Sequence, residues 1–255
     1  MEEVTPLVKT LVYAHRGASK LAPENTMPAF ELARQAGAEG IETDVQLTKD
    51  QVPVLIHDEN LRRTTNGTGF VQDYTYAELR LLDAGSWFSP EFSDTSIVSL
   101  DEFLRWFRDQ PMFLNVELKT NVIEYKNIER IVYDSLKRYH VLERTVISSF
   151  NSDSIERMKK INPSVETAFL TSTKMRRLPH YAKSLQADAL HVKHRLLDKR
   201  LVKQAAKEKL ALRIYTVNRP ALMKKCYKLG VNGIFTDVPH LALEYRDLHH
   251  KRSGR

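Results

Sequence analysis

Short runs of β-branched and aromatic residues recur along the chain, separated by stretches in which apolar positions return every three or four residues. The runs cover residues 11–14, 40–45, 113–118, 145–149, 167–170, 189–192, 212–217 and 233–236. Their alternation with helical patterns, mostly every 20–30 residues, is the rhythm of βα units. The helical period is clearest over 125–139, where Ile128, Ile131, Val132, Ser135 and Leu136 share a face. It returns after Arg219 with Leu222, Met223, Cys226 and Tyr227, bracketed by Pro220 at the start and Gly230 at the stop. Eight such units in 255 residues predict an α/β fold of the (β/α)8 TIM-barrel type. A doubly wound open sheet produces the same alternation and stays open at this point.

Two irregularities sit on that rhythm. Residues 51–57 read as an extra strand, too close behind the second for a crossover helix, so the pair is expected to form an antiparallel hairpin. A turn centred on Lys49 and Asp50 sets Glu42 across from His57 and Asp44 across from Leu55. The connection at about 58–110 is polar and aromatic, with helical stretches near 76–82 and 100–107, and reads as a small insertion after the His57-Asp58 hairpin. Trp87, Phe88 and Phe92 within it are expected to form a local aromatic core rather than a lid. No linker divides the chain, so residues 1–255 are expected to form a single barrel domain.

Composition narrows the classes. The chain is 42% hydrophobic with 9 Gly and 10 Pro, which excludes fibrous and disordered proteins. It lacks the run of about 20 apolar residues that stable membrane insertion requires. Cys226 is the single cysteine, so an intrachain disulfide and a thiolate zinc cage are both excluded. The opening MEEVTPLVKT is acidic and has no apolar signal region, which makes the cytoplasm the expected compartment. The net charge of +7 is uneven: residues 1–110 carry 10 Lys and Arg against 18 Asp and Glu, and residues 111–255 carry 29 against 14. Such polarity suits nucleic acid, an anionic surface or a small anionic substrate.

The candidate chemistry lies at the ends of the first strands. His15 and Arg16 close the first; Glu42 and Asp44, two apart, share a face of the second; His57 ends the hairpin; Glu117 and Lys119 share a face of the next. In a parallel barrel the C-terminal strand ends converge on one mouth. Three carboxylates facing inward are costly unless paired or metal-bound. They offer hard oxygen ligands for one divalent cation, Mg²⁺ or Ca²⁺. Arg16 as a fork and Lys119 as a point charge suit a phosphate group. His15 and His57 are a candidate acid–base pair near neutral pH. The set describes cleavage of a phosphate ester.

The segments AHRGASKLAPENTMPAF, GIETDVQLTKDQVPVLIHDENLRRTTNGTG, DAGSWFSPEF, NVELK, ISSF, YTVN and GIFTDVP resemble the glycerophosphodiester phosphodiesterase family, in order and over nearly the whole chain. The resemblance implies a (β/α)8 barrel with an insertion after the HD segment. It also implies metal-dependent hydrolysis of glycerophosphodiesters to sn-glycerol 3-phosphate and an alcohol. It assigns Glu42, Asp44 and Glu117 to the metal, His15 and His57 to acid–base catalysis, and Arg16 and Lys119 to the substrate phosphate. The chain departs from the family pattern at Tyr215, usually Trp, and Asn232, usually Asp. Tyr215 is expected to line the glycerol pocket or to fill the barrel. Glu24-Asn25-Thr26 precede the first helix, with Asn25 either capping it or reaching into the site. Asn218 and Asp237 stand at the ends of the last two strands, where they orient neighbours or cap loops. Lysophospholipase D chemistry is the alternative within enzymes, and anionic-surface or nucleic-acid binding the alternative outside them. No nucleic-acid motif is present, and the basic residues at 174–177, 193–200 and 251–255 are scattered over several units.

Overall fold

In the computed structural model, residues 9–252 are described. The first eight residues of the acidic opening and the last three of the basic 251–255 cluster lie outside the described residues. Eight parallel strands close on themselves: β1 (Leu11–His15), β2 (Gly40–Leu47), β4 (Phe113–Leu118), β5 (Thr145–Ser149), β6 (Glu166–Thr171), β7 (Ala189–Lys193), β8 (Ala211–Tyr215) and β9 (Gly233–Thr236). The ring is sealed where β1 pairs with both β2 and β9, Ala14 lying against Ile41 on one side and Thr236 on the other. This is the TIM barrel, and the closure excludes the open doubly wound sheet.

The ninth strand, β3 (Pro53–Leu55), pairs antiparallel with the far end of β2. The hairpin is there, but its register is one residue from the expected one: Val45, not Asp44, faces Leu55. The cause lies in the turn. Gln51 takes a left-handed φ of 63°, and the Thr48 amide donates to the Val52 carbonyl at 3.1 Å, so the loop holds three residues instead of two. His57 consequently lies beyond β3 and is not a strand residue.

The α-helices among the described residues are α1 (Met27–Gln35), α2 (Tyr76–Leu79), α3 (Leu100–Phe107), α4 (Ile128–Arg138), α5 (Ser152–Ile161), α6 (Leu178–Ser184), α7 (Lys199–Lys207), α8 (Pro220–Leu229) and α9 (Pro239–Arg252). All but α2 follow the strands as a ring around the barrel. The sequence of α3 shows why it belongs there. Ser99 and Glu102 form a reciprocal capping box, and Leu100, Phe103, Leu104 and Phe107 are buried at helical spacing. Phe103 packs against Phe30 of α1, the ring centroids 4.6 Å apart and the rings tilted by 57°. Residues 100–107 are therefore the crossover from the hairpin to β4, and the inserted segment ends before them. That segment has a small core of its own, with Val54, Ile56, Leu61, Val71 and Leu79 at its centre.

Inside the barrel, strand parity sorts the chemistry. Outward residues such as Ile41, Val45, Val116, Val192 and Ile214 pack against the helices. Inward residues are small at one level, with Val146, Ala168 and Ala189 forming one cluster, and polar towards the mouth. Cys226 is buried on α8, its thiol pushed up to about 12 by burial, and serves as core packing.

Candidate active site

The polar residues converge at the C-terminal mouth. Glu42, Asp44 and Glu117 come from adjacent strands, with Asp44 in register with Glu117, and offer ligand atoms that all lie within 4.8 Å of one another. They are 3%, 1% and 8% exposed. Burial, and then the charges of Asp44 and Glu117, push the Glu42 carboxyl well above the usual carboxylate range. Burial also opposes ionisation of Asp44, but the Arg16 and Lys119 charges outweigh it and hold that carboxyl low. Asp44 Oδ1 is buried without a hydrogen-bond donor. Three crowded carboxylates, one with an orphaned oxygen, fit a hard divalent cation.

Two cations are already built into the cluster. The chain turns sharply after β1, with Arg16 at φ 58° and Gly17 at φ 81°. A Cβ on Gly17 would lie 2.7 Å from the backbone of Ala29, so only glycine fits. That turn delivers the Arg16 amide to Glu42 at 2.8 Å and its guanidinium to Glu24 and Asp44, at 2.9 and 3.2 Å. The Lys119 ammonium sits 2.9 Å from Glu117 and 3.7 Å from Asp44. Asn25 reaches into the site: its amide donates to Asp44 at 2.9 Å while its carbonyl oxygen accepts from Thr43. The N-cap of α1 is Thr26.

The histidines stand on separate carboxylates. His15 Nδ1 lies 2.7 Å from Asp237, which also accepts from the Asn218 amide at 2.6 Å. His57 Nδ1 lies 2.5 Å from Asp58, which is gripped by Arg63, and Arg63 reaches on to Glu24. Burial works against ionisation of Asp237, but the His15 hydrogen bond keeps its carboxyl below the ordinary value; Asp58 is held at about 2 against burial by Arg63 and His57. Ionised carboxylates only accept, so each Nδ1 carries the proton and each Nε2 is left for chemistry.

His15, Arg16, Glu42, His57, Glu117 and Tyr215 line one cleft of about 220 Å³. Asp44 and Lys119 are buried and do not line it. Tyr215 meets Phe150 edge-on at 6.0 Å, and its hydroxyl is buried without a partner. Phe88 meets Trp87 and Phe92 in T-shaped contacts, at 5.8 and 5.7 Å, and none of the three lines the cleft.

Sequence reasoning left Asn218 and Asp237 undecided, and they prove to orient His15. It missed Arg63, for which a second Arg in a polar loop gives no signal. It also missed Asn115, Lys193 and His194 on the cleft wall. Strand parity carried a signal for Lys193, two residues after the inward His191 on β7.

Residues 15–241 match the sequence profile of the glycerophosphoryl diester phosphodiesterase family. The chain is 41% identical over 232 residues to the glycerophosphodiester phosphodiesterase of Caldanaerobacter subterraneus, covering 91% of this chain and 96% of that one. It is 39% identical over 241 residues to the glycerophosphodiester phosphodiesterase of Bacillus altitudinis, covering 93% and 98%. A phosphodiesterase of Oleispira antarctica, solved in complex with the product sn-glycerol-3-phosphate, superimposes with a TM-score of 0.87 at 30% identity, covering 93% and 96%. No described helix is long and apolar enough to cross a membrane.

Proposed function

The chain belongs to the glycerophosphoryl diester phosphodiesterase family, and from that premise we propose that it hydrolyses glycerophosphodiesters to sn-glycerol 3-phosphate and an alcohol by paired histidine catalysis. The observation that carries the reading is the single cleft in which a buried three-carboxylate cluster meets two histidines, each held at Nδ1 by its own carboxylate.

Glu42, Asp44 and Glu117 would hold one divalent cation, Mg²⁺ or Ca²⁺. When bound, it supplies charge neutralisation at the phosphate oxygens and polarises the phosphorus centre. The chain's own residues do the rest. Arg16 faces the cleft and steadies the substrate phosphate, while Lys119 adds its charge to the same centre through Glu117 and Asp44. One histidine takes a proton at Nε2 from the nucleophile, and the other delivers one to the leaving alcohol oxygen. The glycerol 2-hydroxyl and water both satisfy that proton inventory. Tyr215 presents its ring to the substrate within the cleft. The small soluble diester is the substrate, and the cytoplasm is the compartment in which it is met.

The test is a coupled assay for sn-glycerol 3-phosphate release from a panel of glycerophosphodiesters, with and without chelator. Release is expected to stop on chelation and to return on adding Mg²⁺ or Ca²⁺. His15→Ala and His57→Ala are each expected to lower kcat by about a hundredfold or more. Chelator-insensitive release, or near-wild-type turnover in either variant, overturns the mechanism.

A further inference from the structure

The cleft has two unlike sides. On the side of β1, β2 and β4 the cations Arg16 and Lys119 are already paired with carboxylates of the protein. The opposite side carries one lysine and two histidines. On β7, inward parity places His191 and Lys193 on the same face, and His194 opens the turn that follows the strand. All three line the cleft.

These groups differ in how they are satisfied. His191 is fully buried, and its Nε2 lies 3.3 Å from the Arg213 guanidinium, which itself bonds Glu166 at 2.8 Å. The Arg213 charge is thus answered by Glu166, although His191 Nδ1 and Arg213 Nε are buried without partners. Lys193 is half-buried, and among the described residues its ammonium has neither an ion pair nor a hydrogen-bond partner. The Nδ1 of His194 is likewise buried without a partner. No carboxylate other than Glu42 and Glu117 lines the cleft, and both belong to the metal cluster. A half-buried ammonium with no counter-charge and an orphaned imidazole nitrogen lining the same cleft have the chemistry of an anion subsite.

We propose that Lys193 and His194 form a subsite for the leaving alcohol, selecting diesters whose alcohol carries a second phosphate group. The inference rests on the hydrolase reading above, because it takes the scissile phosphate to lie at the carboxylate cluster. With that phosphate held there, the alcohol half extends across the cleft towards β7 and β8. A point-charge ammonium is a common phosphate partner, and the imidazole adds a donor when protonated or as its Nδ1–H tautomer. The rings of Phe150 and Tyr215, 6.0 Å apart, would by themselves suit a quaternary ammonium. Lys193, however, stands in register with Tyr215 on the adjacent strand, and its charge opposes a cation at that surface. The sign of the wall therefore selects anionic alcohols over choline.

The experiment compares kcat/KM for glycerophosphocholine, glycerophosphoglycerol and glycerophosphoglycerol phosphorylated on its distal glycerol. The wild-type enzyme is expected to favour the phosphorylated diester over the choline diester by about tenfold or more. In Lys193→Met the ratio falls to within about threefold, and in Lys193→Glu it inverts. A ratio of two substrates on one preparation is unaffected by the fraction of protein that is folded. Equal turnover of all three diesters, a choline preference, or an unchanged ratio in Lys193→Met overturns the subsite and leaves the hydrolase reading standing. If none is turned over, the hydrolase reading falls, and calorimetric affinities of the same diesters decide the subsite. A phosphate preference lost in Lys193→Met then supports it, and flat affinities overturn it.

Discussion

Two walls of one barrel handle buried charge in opposite ways. Between β1 and β4, three carboxylates are crowded within 4.8 Å and answered by only two cations, Arg16 and Lys119. On β7 and β8, Arg213 lies over the Tyr13 ring at 5.7 Å and bonds Glu166, while burial and then the Arg213 charge hold His191 well below the usual imidazole basicity. The one full charge deep in the basic wall, on Arg213, is thus answered by Glu166, whereas the acidic wall is left one positive charge short or more. Charges that support the fold are paired within it, and charges left over are those that meet a ligand.

The largest effect comes from breaking the acidic wall. Glu42→Gln keeps an oxygen for the Arg16 amide but removes a ligand charge, so kcat/KM is expected to fall by about a thousandfold, ~4 kcal/mol of transition-state stabilisation. The same change relieves repulsion from Asp44 and Glu117. The metal-free variant is accordingly expected to melt no lower than the metal-free wild type. Activity and calorimetric melting on the same preparations check both halves. A variant that retains wild-type turnover removes Glu42 from the metal cluster.

A smaller and more discriminating effect separates the two histidine supports. Asp237 gives one carboxylate oxygen to His15 and the other to the Asn218 amide. Asp58 is shared between His57 and Arg63, and its side chain is about a third exposed. Asp237→Asn leaves His15 facing an amide and the wrong tautomer, with an expected loss of about a hundredfold in kcat. For Asp58→Asn the expected loss is about tenfold, since solvent and Arg63 remain to readjust. Profiles of kcat against pH should move with each variant, a response that a merely structural change does not produce. Equal losses at the two positions contradict the assignment of unlike supports.

How much of this was legible in the sequence follows from the range of the interactions. Bounds of β4, β5 and β9 are local, set by β-branched runs, and agree with the reading residue for residue. The hairpin slipped by one because its left-handed residue is Gln51, where neither Gly nor Asn marks the turn. His15, Glu42, Asp44 and Glu117 were visible because parity at strand ends is also local. The contact between His15 and Asp237 joins residues 222 apart and exists only once β9 closes on β1. Lys193 and His194 looked like one of several scattered basic clusters, and only closure turns them towards Glu42. Helix α3 was read as part of the insertion because its amphipathic face is the same whether it covers a barrel or a loop core.

The smallest effect concerns stability and sharpens the contrast between Asp58 and the buried charges. Its carboxyl is held at about 2, Arg63 and His57 outweighing the burial that would raise it. An unfolded aspartate titrates near ~3.9, so between those values the unfolded chain binds more protons than the folded one. Stability from Asp58 is therefore complete above the unfolded value and is lost as pH falls through the folded one. Melting temperatures of wild type and Asp58→Asn, measured from pH 6 down to pH 2.5, should differ by roughly 1–3 °C in favour of wild type at the upper end. The difference should shrink steadily below about pH 4 as wild-type Asp58 takes up its proton. A gap that stays constant to the lowest pH assigns the loss to packing of the amide and not to the ion pair with Arg63.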